Sequence, residues 1–137
     1  MLSKPLHGWT DITIGSATGC GSHIQDIPTL LIEALSRVLA YSVSSTVEID
    51  EEGSVFRLIF TPETVSYIRS DETTVFALTA RQLARELLAD LRRDWEDWLT
   101  WPAECNPRHL SPREAKDVRQ HRAAHLNRLM RTLEDHL

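Results

Sequence analysis

Asp117, His121 and His125 recur at four-residue steps. On a helix that spacing puts two imidazoles and a carboxylate on one face, as metal centres and acid–base catalysts require. A further ligand must come from elsewhere, and no His-Glu-x-x-His pattern is present. Histidines on a solvated face among Arg119, Arg122 and Arg128 explain the same spacing. Cys20-Gly-Ser-His23 and Cys105-Asn-Pro-Arg-His109 offer two thiols and two imidazoles, a donor set that suits tetrahedral zinc. The two groups are 81 residues apart and neither has knuckle spacing, so unrelated loop residues are the default reading. The expectation is no metal and no cofactor.

Phosphate chemistry and nucleophilic catalysis are equally thin. Gly15-Ser-Ala-Thr-Gly-Cys-Gly-Ser22 stands between a strand and a helix, where phosphate loops sit, but it lacks the Lys-Ser/Thr ending and the third spaced glycine of the known loops. Asp26 would also put negative charge at the helix N-terminus, where an anion would bind. A mobile loop is expected there. No Gly-x-Ser-x-Gly elbow occurs, and Cys20 has only His23 as a local base. Glu48, Asp50, Glu51 and Glu52 form a carboxylate cluster on a hairpin tip, where solvation keeps pKa values ordinary and unsuited to general acid work. A non-enzymatic chain is the reading these residues favour.

Interaction chemistry is better represented. In Asp94-Trp-Glu-Asp-Trp-Leu-Thr-Trp101 the indoles are three residues apart and drift around a helix end. One or two should anchor the core. Another, exposed amid Asp94, Glu96 and Asp97, would make a docking patch for a basic protein, with Trp98 and Trp101 as its aromatic anchors. The alternative is that all three indoles finish the core. Charge is divided the same way. Residues 1–107 carry eight Lys/Arg against sixteen Asp/Glu, and residues 108–137 carry seven against four, giving the net −5. The acidic body favours a basic partner, unless the basic tail simply folds back on it. Arg113, Lys116, Arg119, Arg122, Arg128 and Arg131 run around the last helix without forming a stripe, so nucleic acid is an improbable partner.

These groups must be positioned by an α+β fold. At 137 residues the chain fits one domain, spanning 1–137, with an acidic body (1–107) and a basic C-terminal helix (108–137). Two cysteines are too few to frame a fold, which suggests a reduced, cytoplasmic chain. No apolar h-region opens the sequence and no apolar run reaches membrane-spanning length, so no membrane role is expected. Trp9–Gly15 reads as a first strand, with Ile12 and Ile14 on one side. Asp26 caps a first helix over roughly 27–40, with Leu31, Leu35, Val38 and Leu39 inward.

The clearest pattern is Thr46–Leu78. If residues 51–54 form a turn, Asp50 faces Val55, Ile49 faces Phe56, Glu48 faces Arg57 and Val47 faces Leu58. A second turn at 61–64 sets Phe60 against Val65 and Leu58 against Tyr67. A third at 70–74 sets Tyr67 against Phe76 and Val65 against Leu78. The other face, with Val55, Ile59, Ile68 and Val75, is apolar enough to need a cover or a partner. Thr79 and Gln82 make a capping box for a second helix over roughly 80–100, with Leu83, Leu87, Leu91, Trp95 and Trp98 on one stripe. Pro102 and Pro107 bound a linker. Ser111-Pro-Arg-Glu114 opens a third helix, with Ala115, Val118, Arg122, Leu126, Leu129 and Leu133 inward. The predicted order is β-α-β-β-β-β-α-α, an antiparallel four- to five-stranded sheet with helices mainly on one face.

Trp9-x-x-Ile12-x-Ile14-Gly15, the helix opened by Asp26-Ile-Pro28 with Leu30, Leu31 and Ala34, and the hairpin Glu51-Glu52-Gly53 resemble a family of small, uncharacterised bacterial cytoplasmic proteins. In arrangement and charge the chain is also similar to immunity proteins encoded beside secreted bacterial toxins. The resemblance spans roughly the first 80 residues. It implies a binding protein and names no partner. With the charge and aromatic pattern, the function expected is an immunity-type inhibitor masking a basic toxin domain with Glu48, Asp50, Glu51, Glu52, Asp94, Glu96, Asp97, Trp98 and Trp101. From another class, a homodimer or larger assembly pairing through the outer sheet face (Ile59, Ile68, Val75) is the alternative, and a metal-dependent enzyme using Asp117, His121 and His125 is a third.

Overall fold

A computed structural model describes residues 1–102 and 107–137. The protein is α+β. Strands β1 (Trp9–Ile14) and β2 (Ala17–Ser22) form a two-stranded antiparallel hairpin, followed by α1 (Ile27–Tyr41). Strands β3 (Ser45–Asp50), β4 (Val55–Phe60), β5 (Val65–Arg69) and β6 (Glu72–Phe76) form a four-stranded antiparallel meander in sequential order. Helices α2 (Ala80–Arg93), α3 (Trp95–Leu99) and α4 (Pro112–Glu134) follow, with a 3₁₀ turn over Pro107–His109.

The β3–β4 and β4–β5 registers pair Ile49 with Phe56, Glu48 with Arg57, Phe60 with Val65 and Leu58 with Tyr67, as the alternation predicts. The third turn differs. Arg69 faces Glu72, so the turn is two residues, Ser70–Asp71, and Val65 faces Phe76 instead of Leu78. Ser70 takes φ +53°, the left-handed geometry that tight hairpins need. The slip is two residues, an even number, so every side chain keeps its face.

A larger correction concerns residues 15–22. The expected loop is a strand: Ala17–Ser22 pairs with β1 from Trp9↔Ser22 to Ile14↔Ala17. Gly19 and Gly21 are buried because β2 lies close against other side chains. A β-carbon on Gly19 would sit 2.4 Å from the Phe56 ring, and one on Gly21 2.9 Å from Ile27. Glycine serves here for closeness, a signal that reads like loop composition in one dimension.

The inner face of the meander presents Val47, Ile49, Phe56, Leu58, Phe60, Val65 and Tyr67, all buried. The β1–β2 hairpin and α1 cover it, while α2 and α4 pack on α1. Helix α1 is therefore enclosed, with Ile27, Leu31, Ile32, Ala34, Leu35 and Val38 all buried. Removing each large aliphatic of that set from water contributes about 1.5–3 kcal/mol. On the outer face Val55 and Val75 are 49% and 60% exposed, while Ile59 and Ile68 are half-buried. The β3 margin is occupied differently: the Gln25 amide donates to Glu48 O at 3.1 Å and accepts from Asp50 N at 2.8 Å.

Both expected capping boxes form, Thr79 with Gln82 and Ser111 with Glu114. The expected helix over 80–100 breaks at Asp94, whose φ of −111° and ψ of 33° end α2 and restart the chain as α3. Trp98 stays on the inner side across the break and Trp101, past the end of α3, is buried as well, whereas Trp95 is half-exposed. None of the helices among the described residues is long and apolar enough to cross a membrane.

Candidate functional site

The hairpin tip carries the densest polar chemistry in the fold. Glu51 turns back from the tip and accepts from Arg69 at 2.5 and 3.1 Å, from Cys20 N at 3.0 Å and from Ser54 Oγ at 3.0 Å. The Cys20 thiol donates to the same carboxylate at 3.4 Å. Arg69 also donates to the Tyr67 hydroxyl at 3.1 and 2.7 Å, and Tyr67 donates to Thr18 O at 3.4 Å. The guanidinium lies 5.3 Å from the Phe56 ring centre, and Phe56 stacks on Tyr67 at 5.1 Å. One carboxylate thus fastens β2, the β3–β4 turn and β5 together.

The electrostatics are those of a structural tie. Arg69 hydrogen bonds hold the Glu51 carboxyl down to about 2, against the opposing effect of burial, with help from Cys20 and Ser54. Burial pushes the Cys20 thiol up, and the Glu51 hydrogen bond and the charges of Glu51 and Asp11 push it further, so it stays a thiol and a poor nucleophile. Because the folded pKa of Glu51 lies below its unfolded value, its contribution is complete above about 4.5 and is lost as pH falls toward about 2. Glu51→Gln should cost about 2 kcal/mol at neutral pH, as expected for charge-assisted hydrogen bonds. Denaturant midpoints measured through that acid window should fall less steeply in the variant than in the wild type.

Around the tie, the meander brings two acidic turns to one end of the sheet. Asp50 and Glu52 come from the β3–β4 turn, and Asp71 and Glu72 from the β5–β6 turn, both joined through Glu51–Arg69. Asp11 extends the same rim, opposite Cys20 on β1. Two residues back on that outward face is Trp9, 37% exposed. Leu6 (67% exposed) bridges to Trp9 through paired backbone hydrogen bonds, and Ile24 (53%) follows the β2 strand whose Ser22 faces Trp9. Exposed Leu6 and Trp9 are therefore bridged to one another, with Asp11 two residues along the same face of β1 and Ile24 exposed just past β2.

No protein-family model, curated protein or solved structure matches this chain. Its chemistry is read from its own side chains.

The expected docking residues divide. Glu48 and Glu52 are exposed and Asp50 is half-buried, its side chain accepting from Glu52 N at 2.7 Å. Glu51 is taken up by the tie. Asp94 is held by Arg93 at 2.8 Å and Glu96 by Arg119, while Asp97 is half-buried. Trp98 and Trp101 are corrected outright as surface anchors. They are 0% and 4% exposed, their rings 5.2 Å apart and tilted by 56°, with Trp101 Nε1 donating to Gln25 O at 2.9 Å. Trp95 is the half-exposed indole of that run.

Trp9, Leu6 and Ile24 were legible only in part. With Ile12 and Ile14 inward, strict alternation puts Asp11 outward, and Trp9 falls two residues before it, outside the buried Thr10-Ile12-Ile14 set.

The histidine face of α4 comes apart. His121 Nδ1 bonds back to Asp117 O at 2.9 Å, whereas His125 turns toward α1 and meets Thr29 Oγ1 at 3.1 Å. Among the described residues no group of three or more His, Cys, Asp or Glu could hold a metal. Cys105 lies outside the described residues. Inward on the same helix, buried Arg122 grips the α1 cap, Asp26, at 2.6 and 2.7 Å and donates to Trp98 O at 3.4 Å. Burial raises the Asp26 pKa, but the Arg122 hydrogen bonds and charge, with those from Thr29, bring it below the usual carboxylate range.

Proposed function

We propose that the chain is a non-enzymatic protein-binding module that takes a basic partner on the acidic end of its sheet. Its most concrete form is an immunity-type inhibitor that masks the functional surface of a basic toxin domain. The observation that carries the reading is the pair of acidic turns, with Asp50, Glu52, Asp71 and Glu72, brought to one end of the sheet and tied through Glu51 to the β1–β2 hairpin, on which Trp9 and, just outside the strands, Leu6 and Ile24 are exposed. An exposed indole with aliphatic neighbours supplies retention, and the carboxylate rim supplies steering and selectivity. The mechanism is occlusion: charge speeds encounter, then Trp9 enters an apolar recess on the partner. The Glu51 tie supports the surface by fixing both acidic turns to the strand next to Trp9, so little ordering is left to occur on binding.

Affinity capture from the native host, with wild type and Trp9→Ala compared side by side, tests this. A basic protein should be retained by the wild type, released by raised salt, and bound at least tenfold more weakly by Trp9→Ala. Trp9→Ala should remain folded, with an unchanged circular dichroism spectrum, while losing some stability for the buried part of the indole. Retention of the same partner by both proteins, insensitive to salt, would reject this surface.

A further inference from the structure

On α4, Asn127, Met130, Arg131 and Glu134 fall at steps of three, one and three, a single helical face. Arg92 near the end of α2 and Trp95 at the start of α3 are likewise three apart. These two stripes face one another across a groove of about 320 Å³, within the size range of small-molecule sites. Met130, 4% exposed, makes an apolar floor, and the half-buried Trp95 ring a wall. Arg92 pairs with Glu134 across the groove. Arg131 is exposed and has no carboxylate partner among the described residues. In a protein of net charge −5 this lining carries two guanidinium groups against one carboxylate.

We infer that this groove is a binding site for a small aromatic carboxylate. Trp95 and Met130 take the flat apolar body, by ring stacking and by the adaptable thioether. Arg131 takes the carboxylate as a two-pronged donor, a geometry that lysine lacks. Asn127, beside it on the same face, adds an amide that both donates and accepts. The net lining charge of +1 balances a monoanion. A phosphate monoester, close to −2 at neutral pH, would leave uncompensated charge beside Glu134. The selection is thus for carboxylate over phosphate, and for either over a neutral ring. The site is independent of the protein-docking surface, being built on other elements, and neither reading depends on the other.

Titration with naphthoate, naphthol and naphthyl phosphate, followed by the indole N–H resonances, tests the assignment. The four indoles are identified with Trp95→Phe and Trp9→Ala variants, which also separates groove binding from adsorption on exposed Trp9. Naphthoate should shift the Trp95 resonance saturably, with naphthol binding at least tenfold more weakly and naphthyl phosphate more weakly than the carboxylate. Arg131→Gln should weaken naphthoate at least tenfold, leave naphthol unchanged and keep the melting temperature. Asn127→Asp, a second surface change, should also weaken naphthoate by adding negative charge. The inference fails if naphthoate leaves Trp95 unmoved, if naphthol or naphthyl phosphate binds as tightly as naphthoate, or if Arg131→Gln binds naphthoate like wild type.

Discussion

Arg122→Met should lower the stability of the protein by about 3 kcal/mol, the largest loss expected from any one polar change in the fold. Arg122 is 6% exposed and its two prongs meet both oxygens of Asp26. Removing the guanidinium leaves an ionised carboxylate between α1 and α4 with only Thr29 and partial water for company. The cost falls at the low end of the range for broken buried pairs because the Asp26 side chain keeps 34% of its surface in solvent. The diagnostic comparison is Asp26→Asn/Arg122→Met. Asparagine still caps α1, and no buried charge is left alone, so the double variant should be more stable than Arg122→Met by at least about 1 kcal/mol. Urea denaturation of the variants measures both quantities. A single variant within about 0.5 kcal/mol of wild type would show the α1–α4 contact to be held by its apolar residues alone.

Gly19→Ala is expected to be nearly as damaging, at about 2–3 kcal/mol, although it adds one methyl group. The new β-carbon would meet Phe56 Cε1 at 2.4 Å and Cζ at 2.7 Å. The ring has little room to retreat, because Tyr67 stacks on it and the Arg69 guanidinium lies over it. The β1–β2 hairpin must lift from the sheet, which pulls Cys20 N away from Glu51 and loosens the tie at the hairpin tip. Phe56→Leu in the Gly19→Ala background makes room for the methyl and should recover part of the loss, a non-additivity expected only of groups in contact. Equal midpoints for wild type and Gly19→Ala would mean that the hairpin is not seated as described.

The meander was legible because alternation and turn composition constrain each other: alternation puts Val47, Ile49, Phe56, Leu58 and Phe60 on one face, and the turn at 51–54 selects among the registers two residues apart that keep them there. The third register slipped because the polar run Ser70–Thr74 hides a two-residue turn whose arms are themselves polar strand residues, Glu72, Thr73 and Thr74. The β2 strand was invisible because its glycines answer to tertiary neighbours, Phe56 far along the chain and Ile27 in the following helix, which composition does not reveal. In the indole run helical periodicity placed Trp98 inward, but Trp101 lies past the end of α3, where periodicity gives no guide and a backbone acceptor on Gln25 draws it in. Of the candidate surface, the acidic turns were readable as composition, but their meeting at one end needed the topology. The two ion pairs that fasten it all, Glu51–Arg69 and Asp26–Arg122, join residues 18 and 96 apart, and spacing carries no trace of such partners.

The Gln25 amide has a bearing on how this molecule could ever polymerise. It already satisfies an outward N–H and an outward C=O of β3, so an incoming chain would have to displace it to pair along the whole strand. No strand among the described residues pairs with the corresponding flank of β6. An incoming strand thus finds β6 the easier flank, and two copies joined there would present their Gln25-guarded margins at the ends, which disfavours growth into a fibril.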